Sequence, residues 1–159
     1  MEKITEPFKS DEKKCVFTEG LNYFKTGKES IWGEGEKLTL DFLNKKSFSG
    51  KWLNLAAGDG RYNNILLKKA DFVVASDIDK SALSKLWHNT SKKQRSKLEI
   101  KVFNIINRFP FEDESFDGVF CTGVLHLFPK EFVKKILSEI NRVLKPCSEI
   151  IFDFATDIK

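Results

Sequence analysis

Four short stretches carry side chains whose types and spacing can do chemistry. The first is Ala57-Gly58-Asp59-Gly60-Arg61, where small residues let the backbone turn tightly and come close to a ligand. A helix opening just behind it would add unpaired N–H donors that attract anionic or polar atoms. The same residues are equally an ordinary strand-to-helix turn, because a short Gly-x-Gly is weak alone. The second stretch is Ser76-Asp77-Ile78-Asp79, with Asp77 nineteen positions beyond Gly58. A carboxylate so placed accepts two hydrogen bonds from a ribose diol, although Asp is also a favoured helix N-cap. The pair divides these roles, Asp77 taking the diol and Asp79 the cap.

The third stretch is Phe103-Asn104-Ile105. An Asn amide matches the amino and ring-nitrogen edge of adenine, and Asn is equally a common turn residue. The fourth is Cys121-Thr122-Gly123-Val124-Leu125-His126, where a reacting group would face whatever the first three hold. His126 is the general-base candidate, because histidine is the side chain type most often used to take a proton near neutral pH. Its structural alternative is to orient a helix start and pack beside Leu125 and Leu127. Asp153, near a later strand end, carries the same two readings. Cys121, inside an apolar run, reads as inert core rather than as a nucleophile.

These stretches need elements to hold them. Trp52 to Ala56, Phe72 to Ser76, Glu99 to Phe103, Phe116 to Cys121 and Ile150 to Phe154 read as five short strands. Between them, Arg61 to Lys69 and Ser81 to Asn89 read as helices. Pro129 opens a third, with Phe132, Val133, Ile136, Leu137, Ile140, Val143 and Leu144 on one face, and Pro146 ends it. Ser91 to Lys97 reads as a solvated charge run. Such alternation implies right-handed βαβ crossovers and a parallel sheet with helices on both faces. All four chemical stretches then fall at carboxyl ends of strands, where open parallel sheets bind ligands.

Ahead of the first strand, residues 1–46 read as a polar leader, helical from Cys15 onward, followed by a helix through Leu38, Leu40, Phe42 and Leu43. The aromatic stretch around Tyr23-Phe24 and Ile31-Trp32 is either a lid over a site or a helix docked on the sheet. Residues 47–159 form the ligand-binding domain.

Composition narrows the function classes. The 159 residues are one domain's worth, and 41% hydrophobic residues, with fifteen Phe, supply a core and exclude global disorder. A net charge of +4 falls short of a dedicated nucleic-acid binder, and the basic residues Lys92, Lys93, Arg95 and Lys97 lack interleaved aromatics. Three dispersed Cys fit neither a disulfide framework nor a zinc site, so a reducing, cytoplasmic setting is expected. His88 and His126 form no metal-spaced cluster, and no apolar run is long enough to span a membrane.

With these motifs in order, the chain resembles the class I S-adenosylmethionine-dependent methyltransferases, in particular the type 11 methyltransferase domain. The resemblance rests on Leu53 to Arg61, Val74 to Asp79, Phe109 to Asp117, Val124 to Phe128 and Asn141 to Pro146, and covers about residues 50–155. It implies an α/β, Rossmann-like parallel sheet of order 3-2-1-4-5, here truncated after strand five. It further implies that Ala57, Gly58 and Gly60 approach the methionine part of S-adenosylmethionine. Asp77 would hold the ribose, Ile78 would pack on adenine, and Asn104 and Ile105 would flank its edge. The backbone of Cys121 and Thr122 would lie near the amino group. No metal is required by that chemistry.

The sequence departs from the family pattern at Asn54 and Asn104, where amides stand for acids, and at Ala56, which replaces a glycine. These exchanges imply altered cofactor affinity. The expected activity is methyl transfer to a small-molecule acceptor, releasing S-adenosylhomocysteine. The alternative is a cofactor-binding or interaction module without transferase activity of its own. Strand five would be an exposed apolar edge, to be covered by the N-terminal segment, a second copy of the chain or another partner.

Overall fold

The computed structural model describes residues 33–153 together with the dipeptides Phe17–Thr18 and Leu21–Asn22. Those two dipeptides, β1 and β2, pair antiparallel, where the leader was expected to be helical. Phe and Thr favour the extended backbone over the helix, which accounts for the difference. The aromatic stretch from Tyr23 to Trp32 lies outside the described residues.

From Gly33 the order is α1 (Gly33–Lys45), β3 (Lys51–Leu55), α2 (Asn63–Lys69), β4 (Phe72–Asp77), α3 (Lys80–Asn89) and α4 (Lys92–Arg95). Then follow β5 (Leu98–Val102), β6 (Phe116–Cys121), a 3-10 turn (Leu125–Leu127), α5 (Lys130–Val143) and β7 (Leu144–Phe152). The five strands from β3 to β7 form one parallel sheet in the order β5-β4-β3-β6-β7, which is the expected 3-2-1-4-5.

Side chains alternate across this sheet into two cores. On one face Trp52, Val73, Ala75, Leu98 and Phe120 pack with Leu43, Leu66, Leu67, Leu83 and Leu86 from α1, α2 and α3. On the other, Leu53, Leu55, Val74, Phe116 and Val119 pack with Ile136, Ile140 and Val143 of α5. Each such fully buried aliphatic side chain contributes about 1.5–3 kcal/mol of gross transfer free energy.

Two local expectations differ from the structure. The charge run contains the single-turn helix α4, because Ser91 caps it and Arg95 is bonded to Trp87 and Thr90 carbonyls. Strand β7 starts at Leu144, directly after α5, instead of beyond Pro146. A bulge absorbs the proline: Leu144 stands opposite Phe116 but Glu149 opposite Gly118, and Cys147 between them takes φ 61°.

Arg142 fastens α5 to the loop that follows β5. Its guanidinium donates to the Phe109 and Phe111 carbonyls and to Asp113, and pairs with Glu139, which itself accepts from Phe109 N–H. The Arg142 contact holds the Glu139 carboxyl below its ordinary value, and Glu139 with Asp113 raises that of Arg142.

Candidate functional site

The strand order reverses at β3, whose chain leaves toward β4 on one side while β6 lies on the other. Residues 56–61 fill this turn. Ala57 N–H donates to Ser76 O at 2.8 Å and Gly60 N–H to Ala57 O at 3.0 Å, so the loop is stitched to β4 and to itself. Three alternate positions in the left-handed region make the turn: Ala56 at φ 54°, Gly58 at 54° and Gly60 at 90°. A Cβ on Gly60 would stand 2.6 Å from Leu86 Cγ, so its lack of side chain lets the loop rest on α3. A Cβ on Gly58 would meet nothing within 4 Å. The backbone at Gly58 is therefore bare and faces open space, as close approach of a ligand requires.

Asp77 closes the same corner from β4. Its Oδ2 accepts from Gly58 N–H and its Oδ1 from Asp79 N–H, both at 2.9 Å. Burial pushes its carboxyl above the usual value, opposed by those backbone donors. Asp79 caps α3 by accepting from Ser81 N–H. The cap expected of Asp79 is thus present, and Asp77 stands at the turn, bonded to its backbone. Ile78 is 60% exposed just beyond the end of β4. Val102, opposite Asp77 in the β4–β5 register, is also half exposed. Ile78 and Val102 give this corner an apolar wall, and Val102 was not singled out from sequence. Its position at the end of an alternating strand was the available signal.

The remaining candidates divide. Asn104 is a turn residue: its Oδ1 accepts from Ile106 N–H. Ile105 is buried in the α5-side core, so its side chain offers no face to a ligand, in contrast to the flanking role expected of it. Cys121 is fully buried, and burial pushes its thiol up to about 12, in keeping with inert core. Thr122 is half buried just beyond it, and Gly123 N–H donates to Asp153 Oδ1 at 2.6 Å. His126 sits, half buried, in the 3-10 turn after β6.

Asn54, an amide in an acid's place, turns its side chain to the start of α2. It is buried beneath the loop and donates from Nδ2 to Asn63 Oδ1 at 3.1 Å. Its exchange reaches a ligand only through the loop it supports, and the Asn54–Asn63 partnership had no signal in the spacing. Among the described residues, no group of three His, Cys, Asp or Glu side chains could hold a metal ion, and no helix is long and apolar enough to cross a membrane.

A doubly wound parallel sheet with its cleft at the reversal of strand order defines the Rossmann-like class. Residues 53–152 match the family model described as a methyltransferase domain, and the chain belongs to this family of S-adenosylmethionine-dependent methyltransferases. An uncharacterized protein of Haemophilus influenzae is 39% identical over 132 residues, covering 80% of this chain and 52% of that protein. The structure of the PH0226 protein from Pyrococcus horikoshii is 28% identical with a TM-score of 0.64, covering 80% of this chain and 56% of that one. DhpI, solved in complex with SAM and HEP, has a TM-score of 0.69 at 19% identity, covering 82% and 59% of the two chains. The chain spans about half the length of the curated relative it matches.

Proposed function

We propose that the chain transfers the methyl group of S-adenosylmethionine to a small-molecule acceptor, in a reducing, cytoplasmic setting. The observation that carries this reading is the corner formed by Gly58, Asp77 and Ile78: bare backbone, a half-buried carboxylate and an exposed aliphatic face within one turn. The residues present fit the cofactor. Ala57, Gly58 and Gly60 would receive its methionine part along the loop. Asp77, whose carboxylate retains acceptor capacity beyond its backbone bonds, would accept from the ribose hydroxyls. Ile78 and Val102 would cover an adenine face, with the Asn104 amide at its edge. The backbone of Ile105, Cys121 and Thr122 would complete the lining.

When bound, the cofactor supplies an electrophilic methyl group. The chain's part is to position a nucleophile in line and exclude water. His126, on the turn after Thr122 and Gly123, takes the proton of the attacking group in this reading.

Calorimetry with S-adenosylhomocysteine tests the assignment. Asp77→Ala should weaken binding by about 1–3 kcal/mol, or roughly five- to 150-fold. Unchanged affinity would remove the ribose role. Because diol binding uses the ionised carboxylate and burial raises Asp77, affinity should hold at neutral pH. It should fall as pH drops through that raised value. A flat profile would contradict it.

A second reading, cofactor binding without turnover, is favoured by β7, which is an edge strand among the described residues with Phe152 45% exposed. It predicts S-adenosylhomocysteine binding with no methyl transfer until a covering chain is supplied, whether a second copy or another protein.

A further inference from the structure

The molecule has a second concave region, with Thr122 in its lining. A groove of about 390 Å³ lies between α1 and the ends of β6 and β7, lined by Leu38, Phe42, Ile151 and Phe152 with Thr122 and Asp153. We propose that this groove seats the methyl acceptor, and that the acceptor is an amphipathic amine, apolar along its body and protonated at one end. The proposal rests on the methyltransferase reading above.

Helix α1 shows why the groove is a built feature. Leu43 faces the core and is fully buried, whereas Leu38 and Phe42, four apart on one helical face, are 71% and 48% exposed. The helix is held in that roll. Lys69 Nζ donates to the carbonyls of Leu43, Asn44 and Lys46 at 2.6, 2.8 and 2.6 Å. Lys46 Nζ in turn reaches Glu149 of β7 at 2.7 Å. One end of α1 is thereby tied to α2 and to β7, while the apolar face nearer its start overlooks the strand ends.

Charge then selects the occupant. Asp153 is the sole ionisable group lining the groove among the described residues, and it forms no ion pair there. One of its oxygens accepts from Gly123 N–H, leaving the other for a ligand. A carboxylate at one end of an apolar trough recognises a protonated amine through a charge-assisted bond and repels an anionic head. Thr122 belongs both to this groove and to the lining proposed for the cofactor, so an occupant would lie against the cofactor cleft.

The test titrates the whole chain, with saturating S-adenosylhomocysteine, against n-octylamine, n-octanol and n-octanoate below their aggregation limits. The readouts are calorimetry and amide chemical shifts. Octylamine should bind at least tenfold more tightly than octanoate, with shifts centred on Phe42 and Thr122. Asp153→Asn, which keeps an acceptor for Gly123, should erase that preference. Phe42→Ser, at an exposed position, should weaken octylamine about tenfold and leave S-adenosylhomocysteine affinity within twofold. Leu38→Ser gives the same reading should either variant lose its fold. Equal binding of amine and carboxylate, or octylamine binding indifferent to Phe42→Ser, would overturn the groove proposal while S-adenosylhomocysteine still binds. Failure of S-adenosylhomocysteine itself to bind would overturn the methyltransferase reading instead.

Discussion

The two ends of the cleft are built on opposite principles. At the β3–β4 end, main-chain donors meet main-chain or carboxylate acceptors: Ala57 to Ser76, Gly58 to Asp77, Gly60 to Ala57. The loop rests on Leu86, and a buried amide pair supports it from below. At the β6–β7 end, apolar side chains stand exposed on α1 and β7, and Gly123 N–H donates to Asp153 just beyond the paired strands. One end is preorganised through its backbone and suits an invariant ligand. The other is shaped by side chains that can be exchanged without disturbing the sheet, which suits a variable ligand. Binding sites commonly separate rigid and variable parts in this way.

Substitutions can break or sharpen that contrast. The largest effect is expected at Gly60, where alanine brings both left-handed strain and overlap with Leu86. Gly60→Ala should cost about 3 kcal/mol, read as a lower denaturant midpoint at constant slope. A loss under about 1 kcal/mol would mean that the loop is softer than its contacts indicate.

Next comes the clamp from α5, remote from both ends. Arg142→Ala should cost about 2 kcal/mol, since it leaves the Phe109 and Phe111 carbonyls and Glu139 without their partner. Because the folded Glu139 value is depressed, its contribution is full above the ordinary 4.5 and is lost as pH falls through the lower folded value. The stability gap between the wild type and Glu139→Gln should therefore be constant near neutrality and close in acid. A gap that widens in acid would refute the pairing.

The smallest effect has the opposite sign. Ala56 occupies φ 54°, which costs an L-residue about 1 kcal/mol, so Ala56→Gly should raise stability by roughly that amount. Thermal midpoint measurement checks it, and a decrease would show that the Ala56 methyl contributes packing instead.

Much of this was legible in the chain. Strand and helix alternation, the loop at Gly58, and the capping of α3 by Asp79 followed from local spacing. These features are set by backbone preferences within a few residues of one another. The family resemblance added order to the same motifs. Where expectations failed, the cause was distant in sequence. The strand at Leu144 forms despite Pro146 because β6 offers a ladder to pair with, and a bulge takes up the misfit. Ile105 is drawn into the core because α5 lies over it.

The sequence by itself determined the parallel sheet and the glycine turn at its point of strand reversal, because periodicity and turn chemistry are local. Tertiary structure alone decided that Asn54 leans on Asn63, that Arg142 grips the loop after β5, and that Lys69 and Lys46 hold α1 with its apolar face outward. Each of these joins residues on different elements, and such pairings arise only when the sheet brings those elements together.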